Sequence, residues 1–133
     1  MRLVVRLPFP DPRLSPNRKN GRAWQASAKI KAGQYADAYY ATKQAAGAAH
    51  APFFPGDGAI ALSLLFATPD KQRRDLDNLL SASKSALDGM AKALGVDDSR
   101  FRPILVDWVD GKKPGALIAA VGVTIVSSVE VGG

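Results

Sequence analysis

Leu76, Leu79, Leu80, Ser83, Leu87, Met90, Ala91 and Leu94 recur at steps of three and four residues, and the pattern stops at Gly95. Such spacing predicts an amphipathic helix with one apolar stripe, and that stripe has to be covered by another layer of structure. The chain supplies strands to cover it. "AIALSLLFAT", Ala59 to Thr68, is short, apolar and bounded by turn residues, which predicts a buried strand. At the N-terminus Arg2, Val4 and Arg6 alternate with Leu3, Val5 and Leu7, the period of a strand with one covered face.

The remaining elements follow from punctuation. "PDPRLSPNRKNGRAWQAS" is rich in Pro, Asn, Gly and Arg and reads as a loop, and an alanine-rich helix containing Ile30, Tyr35, Tyr39 and Tyr40 is predicted from about Ser27 to Ala49. "FRPILVDWVD" and "ALIAAVGVTIV" flank "GKKPG", the signature of two strands joined by a tight connection. Pro103 cannot donate a ladder hydrogen bond, so it belongs at a strand start or a sheet edge. The expected order is β-α-β-α-β-β: one α/β (α+β) domain over residues 1–133, with helices packed on a small mixed sheet.

Charge narrows the partners. Lys and Arg number 18 against 12 Asp and Glu, a net charge of +6, which favours a polyanion: nucleic acid first, an anionic membrane surface second. No cysteine is present, which excludes thiolate zinc sites and cysteine nucleophiles. The single histidine, His50, is expected at the solvent side of a helix end and makes a poor general base. No apolar run reaches membrane-spanning length, and Pro8 and Pro10 interrupt the N-terminus before a signal-peptide core develops. A cytoplasmic protein is expected.

Asp75 and Asp77 stand in the most basic part of this basic chain, just after Lys71, Arg73 and Arg74. Residues two apart point about 200° from one another on an α-helix but the same way in an extended segment, so a shared ligand requires an extended or cap geometry here. The alternative is structural: acids at a helix N-terminus cap free N–H groups and complement the helix dipole. A second acidic pair, Asp97 and Asp98, follows the helix and is itself followed by Arg100 and Arg102. It reads either as a turn or as a partner to the first pair. Carboxylates inside a basic rim have a chemical purpose if Mg²⁺ sits between them and a phosphate, because that ion takes oxygen ligands and activates water without Cys or His.

At "RRDLDNLL", "LDGM" and "VDDSRF" the sequence resembles the RusA family of Holliday-junction resolvases, small endodeoxyribonucleases of DNA recombination and repair that are common in prophages. Asp75, Asp77 and Asn78 match the family's D-x-D-N segment, and Asp98 matches its third catalytic aspartate. "LPFPDPRLSPNRKNGR" is similar to the family's Pro- and Asn-rich opening. The resemblance implies a Mg²⁺-dependent (or Mn²⁺-dependent) nuclease, dimeric and acting on branched DNA, with Asp75, Asp77 and Asp98 as metal ligands. Arg18, Lys19, Arg22, Lys71, Arg73 and Arg74 are expected at the DNA backbone.

One position departs from the family pattern. Ser81 stands where the family commonly has lysine, and the nearest lysine downstream is Lys84. Seven residues on a continuous helix bring Asp77 and Lys84 within about 20° of one face, which would let Lys84 reach a phosphate as an electrophilic helper. Two rival readings remain: a basic DNA-binding module without catalysis, and a D-x-D phosphatase or glycosyltransferase. The phosphatase is disfavoured because its acids should directly follow a hydrophobic strand, and Asp75 lies well clear of Phe66.

Overall fold

The alternation Leu3, Val5, Leu7 is buried and Val4, Arg6 is exposed, so β1 (Leu3–Leu7) forms with the one-sided pattern that its sequence predicts. The structure, a computed structural model, describes residues 2–14, 23–47 and 54–122. After β1 come α1 (Ala23–Ala46), β2 (Ile60–Thr68), α2 (Leu76–Ala82), α3 (Lys84–Leu94), β3 (Phe101–Asp110) and β4 (Ala116–Val121). Short 3₁₀ turns occupy Pro12–Leu14 and Asp98–Arg100. The architecture is α+β: a mixed four-stranded sheet in the order β1-β4-β2-β3 with helices packed on it. Among the described residues no helix is long and apolar enough to cross a membrane. His50 lies outside the described residues.

The core fills the space between the helices and one face of the sheet. Val5, Leu62, Leu64, Phe66, Leu117, Ala119 and Val121 rise from the strands against Ala38, Leu79, Leu87, Met90 and Leu94. A buried Leu or Phe contributes about 1.5–3 kcal/mol relative to exposure, so this layer is the main source of stability. Phe9 closes one end, edge-on to Phe66 at a centroid distance of 6.3 Å.

One expectation is corrected. The helix over 76–95 is two helices, because Ser83 sits between them with φ −92° and ψ −1°. Its Oγ donates to the Leu79 carbonyl at 2.8 Å, a side-chain bond that competes with the helical ladder and bends it. The break is stabilised from α1, where Gln34 Nε2 donates to the freed Ala82 carbonyl at 2.8 Å and to Ser85 Oγ at 2.9 Å. α3 then ends where predicted, with Gly95 in the left-handed region at φ 69°.

β3 and β4 form as two strands joined by a tight connection, as expected, and they are consecutive without being neighbours. β2 lies between them, parallel to β3 and antiparallel to β4. The short connection therefore crosses over the end of β2, and Gly115 (φ 79°) passes so close that a Cβ would lie 2.9 Å from the Ala67 carbonyl oxygen. "GKKPG" encodes this close crossing rather than a hairpin. Pro103 lies on the edge strand at a register irregularity between Ile60 and Leu62, where a missing donor is tolerated. The last predicted strand extends to 126, of which residues from 123 onward lie outside the described residues.

Candidate functional site

β2 and β3 run parallel, and the chain leaving β2 at Thr68 returns through the basic loop to α2. Parallel strands of α/β proteins place their sites at this end. Thr68, fully buried, fixes the exit by donating from Oγ1 to the Asp70 carbonyl at 2.8 Å. Asp70 then turns the loop: its Oδ1 accepts from the Gln72 N–H at 2.8 Å and from Arg74 Nη1 at 2.8 Å. The Arg74 guanidinium, followed by the Gln72 N–H, holds the Asp70 carboxyl below its ordinary range. Arg74 also stacks over the Phe9 ring, 5.3 Å from its centroid. It is thus a structural clasp, while Lys71 and Arg73 remain exposed and available to an anion.

The loop delivers Asp75 in extended conformation (φ −97°, ψ 125°) to the N-cap of α2, where its Oδ1 accepts from the Asp77 N–H at 2.9 Å. The capping role weighed from the sequence is therefore real. It does not exclude a ligand role, because capping occupies one oxygen of a carboxylate that can accept several bonds. Asp75, Asp77 and Asn78 line an open depression of about 1050 Å³, together with Arg73, Phe9 and Trp108. Both aspartates are exposed. Trp108, from β3 beside Phe66, had not been picked out from the sequence; its parity with Phe66 in the parallel pair is the signal that places it on the helix side of the sheet.

Asp98 lies elsewhere. It opens the 3₁₀ turn after α3 and lines a smaller depression of about 440 Å³ with Lys84, Asp88, Lys92, Asp97 and Tyr35. The two depressions have no lining residue in common. Lys84 Nζ lies 3.5 Å from Asp98 Oδ2. Burial raises the Asp88 carboxyl above its ordinary range against the pull of Lys84, and Asp98 reinforces the rise. Asp97 caps the turn through the Ser99 N–H at 2.9 Å, and that bond lowers its pKa. Among the described residues no group of three or more His, Cys, Asp or Glu is gathered as a ready cation site. The bend at Ser83 puts Lys84 on a helix separate from that of Asp77, so the shared-face argument for a continuous helix does not apply. Arg18, Lys19 and Arg22 lie outside the described residues.

No protein-family model matches the chain. It is similar to an uncharacterised protein of Xylella fastidiosa (strain Temecula1 / ATCC 700964), with 33% identity over 105 residues. That stretch covers 77% of this chain and 66% of the relative's length.

Proposed function

We propose that this protein is a Mg²⁺-dependent, structure-selective endodeoxyribonuclease that nicks branched DNA such as a four-way junction, working in the cytoplasm in recombination and repair. The observation that carries this reading is the pair Asp75 and Asp77 on the rim of one open depression, in a loop end held by Asp70 and Arg74. Two exposed carboxylates suit Mg²⁺, which is commonly held by one or two carboxylates plus substrate phosphate. When bound, such an ion supplies Lewis-acid polarisation of the phosphodiester and a more acidic water.

The chain's own residues do the rest. Lys71 and Arg73 attract the backbone beside the acids, offsetting repulsion between carboxylate and phosphate. Trp108 and Phe9 offer aromatic surface on which an unstacked base can rest, and such stacking contributes about 1–3 kcal/mol per base. Asp98 and Lys84 form a second charged pair, whose ammonium is a candidate for a neighbouring phosphate.

The alternative, a DNA-binding module without catalysis, is favoured by one specific observation: Asp98 lines a different depression from Asp75 and Asp77 and is already engaged by Lys84. Incubating a synthetic four-way junction and a linear duplex with the protein, with and without Mg²⁺ or Mn²⁺, separates the two. Metal-dependent nicking of the junction, abolished in Asp77→Asn, supports the nuclease. Tight junction binding without nicking under either metal establishes the binding module.

A further inference from the structure

The crossing between β3 and β4, residues 111–115, packs directly on the exit of β2. A Cβ added at Gly111 would lie 2.6 Å from the Thr68 carbonyl oxygen, and one added at Gly115 would lie 3.1 Å from Pro69 Cδ. The Gly115 N–H donates to the Lys112 carbonyl at 2.7 Å and closes the turn. Thr68 Oγ1 sits between the two segments, donating to the Asp70 carbonyl at 2.8 Å and lying 3.3 Å from the Val109 carbonyl oxygen. Glycine and proline are the residues that so tight a crossing needs; lysine is not among them. Yet its tip carries Lys112 and Lys113, both exposed.

The crossing sets these lysines beside the loop that leads to α2. The Asp70 carboxyl, lowered chiefly by Arg74 and the Gln72 N–H, also feels the charge of Lys113. Lys71 and Arg73 are exposed on the loop itself. Among the described residues none of Lys71, Arg73, Lys112 and Lys113 forms a salt bridge, whereas Arg74 is engaged with Asp70. Asp110, exposed at the end of β3, offsets one of these charges and leaves the cluster cationic. Two segments far apart in sequence thus present free cations side by side.

We propose that Lys112 and Lys113 hold the phosphate backbone of a duplex arm of the nucleic-acid substrate, extending the cationic rim of Lys71 and Arg73 beyond the depression that contains Asp75 and Asp77. Trp108, which lines that depression, lies four residues before Lys112, about 13 Å along an extended strand. An arm gripped at the turn therefore stays outside the depression while the strand leaving it comes within reach of the acids. Contacts of this kind fix register and orientation without reading sequence, so the two lysines position the substrate. A duplex is favoured over an anionic membrane because it carries its charge along two lines, which leaves room for Asp75 and Asp77 beside them. A lipid surface is anionic throughout and repels both aspartates. The inference rests on the nucleic-acid partner of the proposed function and not on cleavage, so it holds equally for the binding module.

Fluorescence anisotropy of the full chain on a labelled linear duplex, repeated over a series of NaCl concentrations, tests it. Lys112→Ala with Lys113→Ala is expected to flatten the plot of log affinity against log salt by about 1.8, because each phosphate contact contributes about 0.9. Lys112→Arg with Lys113→Arg keeps the wild-type slope, since a phosphate contact requires the charge. Arg2→Ala with Arg6→Ala removes the same charge at β1, the opposite edge of the sheet, and leaves the slope unchanged. Should the double alanine variant lose its native circular dichroism, the two single variants decide, each flattening the plot by about 0.9. Duplex binding with an undiminished slope in the folded alanine variants overturns the proposal and leaves the proposed function standing. Equal flattening by Arg2→Ala with Arg6→Ala overturns it as well, because net charge alone would then explain the effect. A wild-type protein that binds neither duplex nor four-way junction overturns both. Alanine variants that lose binding to phosphatidylserine vesicles while keeping the duplex slope assign the turn to a membrane and overturn the proposal.

Discussion

Lys84, the first residue of α3, directs its ammonium to Asp98 in the turn that follows the same helix, Nζ 3.5 Å from Oδ2. The side chains are 72% and 44% exposed. An ion pair so open to water is worth about 0–1 kcal/mol, so conservation of fold does not depend on it. Its value under the nuclease reading is positional: a fixed cation beside a carboxylate that would otherwise repel phosphate. Lys84→Ala is therefore expected to unfold within about 1 kcal/mol of wild type by urea titration, while junction cleavage falls at least about tenfold. Lys84→Arg should retain most of the rate. A cleavage rate unchanged in Lys84→Ala removes this residue from the mechanism.

Asp75 caps α2 and, under the nuclease reading, would also hold the metal; two substitutions separate these roles. Asparagine caps a helix about as well as aspartate, whereas alanine loses about 0.5–2 kcal/mol at an N-cap. Asp75→Asn should thus keep the stability of wild type and lose metal-dependent cleavage. Asp75→Ala should lose both. If Asp75→Asn cleaves normally while Asp75→Ala is merely less stable, Asp75 is a cap alone.

Asp70 gives the loop before α2 a pH dependence of known sign. Its carboxyl is held below the ordinary value of 3.8, first by Arg74 and then by the Gln72 N–H. A depressed folded pKa means the unfolded chain binds the proton more readily, so the contribution is present above the unfolded pKa. It is lost as pH falls through the folded value. Thermal melts of wild type and Asp70→Asn should differ at pH 6, keep that difference down to about pH 4, and converge only as the pH falls on through the depressed folded value. The carboxylate side chain is 41% exposed, and screening by water keeps the gap small. A difference that persists unchanged into acid would show that the loop is held by something other than this charge.

The sequence made the element types legible wherever one periodicity dominated. β1 alternates strictly and was readable in full; α3 ends at Gly95 as its spacing requires. β2 reads as a buried strand because it is short, apolar and bounded by turn residues, yet among the described residues only one of its faces is buried, and Ala61, Ser63, Leu65 and Ala67 on the other are half-buried or exposed. The strand order could not be read, since a five-residue connection permits either a hairpin or a crossing, and only the close approach of Gly115 to Ala67 decides between them. The Ser83 bend was hidden for a related reason. Ser83 fits the helical stripe by position, and its bond to Leu79 and the support from Gln34 are tertiary facts. At the candidate site, Asp75 and Asp77 stand together because they are close in sequence. The placement of Asp98 depended on how α3 returns to the sheet, which no local pattern encodes.

Gly89 and Gly33 are both helical glycines, and the structure assigns them opposite consequences. α3 crosses α1 with Gly89 against the backbone of Tyr35: an added Cβ would overlap the Tyr35 carbonyl oxygen and lie 3.1 Å from its carbon and 3.2 Å from the Tyr39 nitrogen. Backbone cannot step aside as a side chain does, so the helices must separate. That separation strains Gln34, which holds the break between α2 and α3. Gly33, one residue away from Gln34 on α1, is exposed and has nothing within 4 Å of the same added atom. Gly33→Ala should stabilise the protein by about 0.5–1 kcal/mol through helix propensity alone. Gly89→Ala gains the same propensity but meets overpacking of about 1–3 kcal/mol or more, so the net effect is destabilising. Chemical denaturation of the two single variants checks both signs. Equal stabilisation by both would mean that α1 and α3 do not cross at Gly89.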